Sequence, residues 1–275
     1  MTRRRLMRAL SAQPLDEEIA RTYLRTFSSK QLFSNPRALP DVDSCHLFGN
    51  EQPLCLEVGC GTAEYLGALA RADPQTNFVG VDLAHKPLLH AVRMAANQAL
   101  PNIRFIPGDF RLMYPLLVAD SLQAVYVHFP DPHMQMRFRK RRIVAPAFLD
   151  AIDHALAPGG QLSIMTDHQA LFMDILAVVE RDTRFEKAHT QRYLVGFEPV
   201  AKSRFQRLWE GHGLPTLRLD LRKRLVLEVP QRDDARQVMD MEKAWRSSTG
   251  RSTRSTSRHS AGLMGGNFAS PSTSV

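Results

Sequence analysis

At 275 residues the chain is long enough for one good-sized domain with tails, and its 44% hydrophobic content is ordinary for a globular protein with a sizeable core. A net charge of +8 favours a polyanionic partner, nucleic acid first, although part of the excess gathers at the ends, in Arg3, Arg4, Arg5 and Arg8 and in Arg246, Arg251, Arg254 and Arg258. No apolar run approaches a membrane span, none follows Arg8 as a secretory signal requires, and the three cysteines (Cys45, Cys55, Cys60) have neither the even number of a disulfide framework nor the paired spacing of a zinc site. The expectation is a cytoplasmic protein without a metal and without a membrane partner.

In chain order, residues 1–50 mix charge with Pro36 and Pro40 and predict one amphipathic helix near Ile19 to Phe27. Leu54–Val58 is a short apolar strand running into a glycine turn, followed by a helix from Glu64 to Ala72. Asn77–Val81 is a second strand, and Pro87 to Ala99 suits a helix with proline in its first turn. Ile103–Ile106 is a third strand, and Leu122–Phe129 is a fourth, stopped by Pro130 and Pro132. A helix from Pro146 to Leu156 sets Phe148, Leu149, Ile152, Ala155 and Leu156 on one face, with Gly159-Gly160 expected to end it. Gln161–Met165 is a fifth strand, Gln169 to Glu180 a helix, and Thr216 to Val229 a late strand or hairpin. Strands alternating with helices predict an α/β fold with a mostly parallel, doubly wound sheet, whose ligands bind at the carboxyl ends of the strands. The folded domain is expected over 51–232. The remainder, 233–275, is a tail that is Ser, Thr, Gly and Arg without an acid from about 246 and too polar to fold there.

The first turn reads Leu56-Glu-Val-Gly-Cys-Gly-Thr-Ala-Glu64. Gly59 and Gly61 give the tight turn and close backbone approach that a nucleoside cofactor needs. A dinucleotide site would want a third glycine where Glu64 stands, and a carboxylate is a poor neighbour for pyrophosphate. Acids stand at four successive strand ends: Glu57, Asp82, Asp109 and Asp131. S-adenosylmethionine carries a sulfonium, an ammonium and two ribose hydroxyls but no phosphate, so a carboxylate-lined rim matches it. Each acid taken singly also suits a helix or turn cap.

The run Phe129-Pro-Asp-Pro132, then Arg137 and Lys140-Arg-Arg142, then Ala157-Pro-Gly-Gly160 and Thr166-Asp167, resembles the bacterial tRNA guanine-N7 methyltransferases over about Leu54 to Asp167. The resemblance implies a Rossmann-like class I methyltransferase dependent on S-adenosylmethionine. It places Glu57, Asp82, Asp109 and Asp131 at the cofactor and Asp167 on the acceptor side. The departures are all on the acceptor side. His133-Met-Gln-Met136 stands where the family has Trp-Pro-Lys-Lys, so Gln135 matches an acceptor-facing lysine. Ser203-Arg-Phe-Gln206 stands for Thr-Lys-Phe-Glu, and His168 for an asparagine.

Guanine N7 has a free lone pair, so methyl transfer to it needs alignment rather than a general base. The product base is cationic, and Asp131 and Asp167 are the candidate catalytic residues that stabilise the developing charge. Arg137, Arg139, Lys140, Arg141 and Arg142 are candidate phosphate contacts, with Gln135, Arg137, Arg141 and Asp167 the expected substrate set. His133 and His168 would flank the expected acceptor pocket, yet a lone histidine at a loop is more often incidental. Packing in the core is the expected role of Phe205 and Trp209. The leading expectation is N7 methylation of guanine in tRNA. A paralogue that methylates a nitrogen of a small purine-like heterocycle, or an RNA-binding module with a relict cofactor site, are the alternatives.

Overall fold

The computed structural model describes residues 13–132, 142–197, 201–202, 206–207 and 210–225. Its strands are β1 (Leu54–Val58), β2 (Asn77–Asp82), β3 (Ile103–Pro107), β4 (Leu122–His128), β5 (Leu156–Thr166), β6 (Phe185–Lys187), β7 (Leu194–Val195) and β8 (Leu217–Lys223). They form one sheet in the order β3-β2-β1-β4-β5-β8-β6, with β7 also on β8. The five strands from β3 to β5 are mutually parallel, while β8 runs antiparallel to β5 and β6 and β7 run antiparallel to β8. The expected α/β fold is the one observed. β1 is buried along its whole length, as a central parallel strand covered on both faces must be.

Two apolar layers cover the two faces. On one, α4 (Glu64–Ala72) and α5 (His85–Asn97) bury Leu66, Ala70, Leu88, Ala91, Val92 and Ala95 against Cys55, Phe78 and Phe105, joined by Tyr23 of α1 (Glu17–Tyr23). On the other, α6 (Pro146–Ala155) and α7 (Gln169–Val179) bury Phe148, Ile152, Phe172 and Ile175 against Leu56, Val125 and Ile164. Leu32 of α2 (Ser29–Ser34) and Leu47 of α3 (Ser44–Phe48) belong to that second layer. The helices begin on side-chain caps where the sequence offers them: Asp16 accepts from Glu18 N at 2.9 Å, and Asp43 from His46 N at 2.7 Å. The segment before β1 also shields the edge strand. Leu24 pairs with Phe105 and Arg25 N donates to Phe105 O at 2.9 Å, so backbone covers the free side of β3.

Three expectations change on the fold. Among the described residues the N-terminal segment has three short α-helices where one was expected. The helix before β5 stops at Ala155 and β5 begins at once with Leu156, so Gly159 and Gly160 lie within the strand instead of ending the helix. Their reasons differ: Gly159 takes a φ of +76°, whereas a Cβ on Gly160 would stand 2.8 Å from Ala157 O and 3.2 Å from two carbonyls of β4, where the β4–β5 register slips between Leu122 and Ala124. The late strand is β8, and its hairpin-like partners are β6 and β7, which are three and two residues long. The expected tail lies outside the described residues. Among the described residues no helix is long and apolar enough to cross a membrane.

Candidate active site

The carboxyl ends of β1, β2, β4 and β5 meet along one side of the sheet, and the turn after β1 is stitched to β2. Gly59 N and Cys60 N donate to Val81 O at 2.7 and 3.2 Å. Gly59 and Gly61 take φ of +79° and +57°, and a Cβ on either would meet nothing within 4 Å. The space over the turn is therefore open, and the glycines serve conformation and approach. Asp82 ties this turn to α5: one carboxylate oxygen accepts from Gly61 N and the other from Ala84 N, each at 2.7 Å. It caps, as any strand-end acid can, and it does so from the rim of the open turn.

Glu57 is buried beside it, 3% exposed. Burial raises its carboxyl well above the ordinary range, and Glu64 and Asp82 push the same way. One of its oxygens, Oε1, lies 3.8 Å from His128 Nδ1, and the other, Oε2, has no hydrogen-bond partner. His128, the last residue of β4, is equally buried, and neither ring nitrogen is hydrogen-bonded. Burial, followed by the charge of Arg218, lowers its pKa to about 3. Tyr65 meets the ring edge-on at 4.5 Å and Tyr126 lies 5.7 Å away. Glu57, Gly59, Cys60, Gly61, Thr62, Glu64, Tyr65, His128 and Phe129 enclose one small cavity, in which Thr62 Oγ1 donates to Glu64 Oε2 at 2.7 Å.

The other acids are placed differently. Asp109 follows β3 and accepts from Arg111 N at 3.1 Å and Arg111 Nε at 2.9 Å, with a second guanidinium nitrogen on its other oxygen. The Arg111 hydrogen bond holds its carboxyl below the usual range, and in this structure it caps the turn Phe110–Leu112. Asp131 is exposed, on the loop that leaves β4 through Phe129, whose φ is +51° and whose N–H donates to Met165 O at 2.7 Å. Asp167 is half-buried just past β5. His168 caps α7, its Nδ1 accepting from Leu171 N at 3.0 Å. Gln135, Arg137 and Arg141, with His133, Arg139 and Lys140, lie outside the described residues, as do Ser203, Phe205 and Trp209. Arg142 is described and does not stand free for phosphate: its Nε donates to Pro132 O at 3.0 Å and its guanidinium pairs with Asp174 of α7. Gln206 is fully buried and donates to Glu210 at 2.8 Å.

Sequence reasoning gave no role to His128, Thr62, Tyr65 or Leu83. A histidine closing an apolar strand was the available signal for the first. Leu83, 74% exposed directly after Asp82, is an uncovered apolar side chain at the rim. A larger cavity of about 550 Å³ sits at the opposite ends of the strands, lined by Cys55, Asp73, Gln123, Tyr126, Gly160 and Gln161 among others, and holds none of the candidate residues. Asp41, Asp43 and His46 gather potential metal ligands at α3, where the His46 ring is bonded by Asp43 at 2.9 Å.

The arrangement fits S-adenosylmethionine: an open glycine turn, a buried carboxylate with an unpartnered oxygen, and strand-end carboxylates around them. Residues 51–212 match a family model described as "Putative methyltransferase". The tRNA (guanine-N(7)-)-methyltransferase of Rubrobacter xylanophilus is 48% identical over 221 residues, covering 80% of this chain and 99% of that protein. The protein of the same name from Chloroherpeton thalassium is 34% identical, covering 78% of this chain and 95% of that one. Among solved structures, the 16S rRNA (adenine(1408)-N(1))-methyltransferase from Catenulisporales acidiphilia aligns with a TM-score of 0.49 at 18% identity, over 68% of this chain and 96% of that one. With its acid-lined glycine turn and near-full-length similarity to these relatives, the chain belongs to the tRNA (guanine-N7)-methyltransferase family.

Proposed function

We propose that this protein transfers a methyl group from S-adenosylmethionine to N7 of a guanine in tRNA. The observation that carries the reading is the 48% identity spanning 99% of a relative named for that reaction, in a chain whose glycine turn is open and acid-lined. When bound, S-adenosylmethionine supplies an electrophilic methyl on a positively charged sulfur. Glu57 gives the pocket a negative charge for the donor's ammonium, and Asp82, already oriented by Gly61 N and Ala84 N, accepts from ribose hydroxyls. Leu83 presents the apolar surface on which the purine rests. Asp109 is the further donor-side acid in this reading; its ion pair with Arg111 must then share its carboxylate with the ligand.

On the acceptor side, Asp131 and Asp167 follow neighbouring strands and act on the guanine. Guanine exposes N–H donors on its Watson–Crick edge that carboxylates accept, and negative charge there stabilises the cationic product. Gln135, Arg137 and Arg141 complete the proposed acceptor set. The chemistry then consists of holding the N7 lone pair in line with the methyl group, with no proton to remove.

Incubating the protein with labelled S-adenosylmethionine and unmodified tRNA, then digesting the product for 7-methylguanosine, tests the proposal. Label in that nucleoside is the expected result. Label only in a small heterocycle, with tRNA unlabelled, would replace this reading with the small-molecule one.

A further inference from the structure

The pocket beside the glycine turn contains three buried polar atoms with no hydrogen-bond partner: Glu57 Oε2 and both ring nitrogens of His128. Buried polar atoms left in this way cost free energy unless something meets them. The neutral imidazole offers one donor and one acceptor, and the carboxylate offers acceptors. Tyr65 packs edge-on against the ring at 4.5 Å and Tyr126 lies tilted at 5.7 Å. A group that satisfies all three atoms must carry both donors and acceptors within a few ångströms. The amino-acid end of the methyl donor does: its ammonium has three donors and its carboxylate only acceptors.

Resting on the methyl-donor reading above, we infer that His128 is a binding residue for the amino-acid end of the donor. One ring nitrogen accepts from the ammonium alongside Glu57, and the other donates to the carboxylate. The 3.8 Å between Glu57 Oε1 and His128 Nδ1 is too long for a direct hydrogen bond, and lets both groups face one ammonium. Burial keeps the imidazole uncharged at neutral pH, so it keeps the lone pair this role requires. His128 and Glu57 line the same small cavity beside the glycine turn.

The test compares two nucleosides. S-adenosylhomocysteine keeps the amino-acid end; 5′-methylthioadenosine lacks it. Calorimetry on the parent, His128→Phe and His128→Asn should show His128→Phe binding S-adenosylhomocysteine about 10- to 100-fold more weakly, as expected for lost hydrogen bonds to charged groups. Its affinity for 5′-methylthioadenosine should stay within about twofold of the parent. His128→Asn, whose amide keeps a donor and an acceptor, should recover most of the loss. Should His128→Phe not fold, the same contrast is read from His128→Leu against His128→Asn. Equal losses for both nucleosides, or none for either, would overturn the inference while leaving the methyl-donor reading intact. A parent that binds neither nucleoside would overturn that reading, and the role of His128 with it.

Discussion

Burial raises the Glu57 carboxyl above its ordinary range and lowers His128 below its own, and each displacement can be read by titration. For His128 the folded state binds fewer protons than the unfolded chain between the ordinary value near 6.5 and about 3. Stability must therefore fall as pH falls through that window, at up to about 1.4 kcal/mol per pH unit. Urea unfolding at a series of pH values should show this slope in the parent and a flatter one in His128→Phe. Glu57 has the opposite sign. Its raised folded pKa means that the fold keeps a proton the unfolded chain gives up, so its contribution to stability falls as pH rises above the ordinary glutamate value. Glu57→Gln should thus be at least as stable as the parent at neutral pH, yet bind S-adenosylmethionine about 10- to 100-fold more weakly, because the amide cannot supply the charge. Binding to the parent should release a proton, visible as a calorimetric heat that changes with the buffer's ionisation enthalpy. A Glu57→Gln protein that binds normally would remove Glu57 from the donor site.

At the scale of elements, Arg142 joins the loop after β4 to α7. Its side chain is 13% exposed and that of Asp174 49%, so solvent screens the pair on the acid's side only. The Pro132 carbonyl that it holds lies one residue beyond Asp131, so the arginine governs where that carboxylate sits. Arg142→Ala should lower turnover about tenfold while the affinity for S-adenosylhomocysteine stays unchanged, since misplacement of the reacting groups is costly and the donor pocket is untouched. Steady-state kinetics with calorimetry decide it; equal losses in both would point to a general loosening instead.

The elements that sequence revealed were those with local signals. β1 to β4 are apolar runs bounded by turns, and α6 and α7 carry a clear helical stripe. β6 and β7 have no such signal, since strands of three and two residues exist only because β8 offers its edge. Gly159-Gly160 read as a helix stop because a left-handed turn and a crowded strand position call for the same residue, and only the backbone around them distinguishes the two. The site divides in the same way. Strand-end acids and a Gly-x-Gly turn are visible from spacing, whereas the exposure of Leu83 and the unpartnered ring of His128 depend on what packs nearby. That Arg142 holds a carbonyl rather than standing ready for a phosphate is likewise a tertiary fact.

For the whole molecule the net charge of +8 becomes a statement about its partner. Each phosphate neutralised on a nucleic acid releases about 0.7 to 0.9 of a counterion. Methyl transfer to tRNA at subsaturating concentration should therefore fall steeply between low and physiological salt. A flat curve would argue for an uncharged acceptor. Neutralising Arg141 should reduce the slope by about one counterion.

The antiparallel seam between β5 and β8 also sets a timetable for synthesis. β5 ends at Thr166 and its partner begins at Leu217, some 51 residues later. At a translation speed of about 5–20 residues per second, that interval lasts roughly 3–10 s. Throughout it a nascent chain has β5 as the outer edge of its parallel half-sheet, with a row of unpaired backbone groups exposed to other chains. The ribosome thus holds an adhesive intermediate until the last strand arrives. Yield in a heterologous host should depend on growth temperature and chaperone supply more than the stability of the finished protein would suggest.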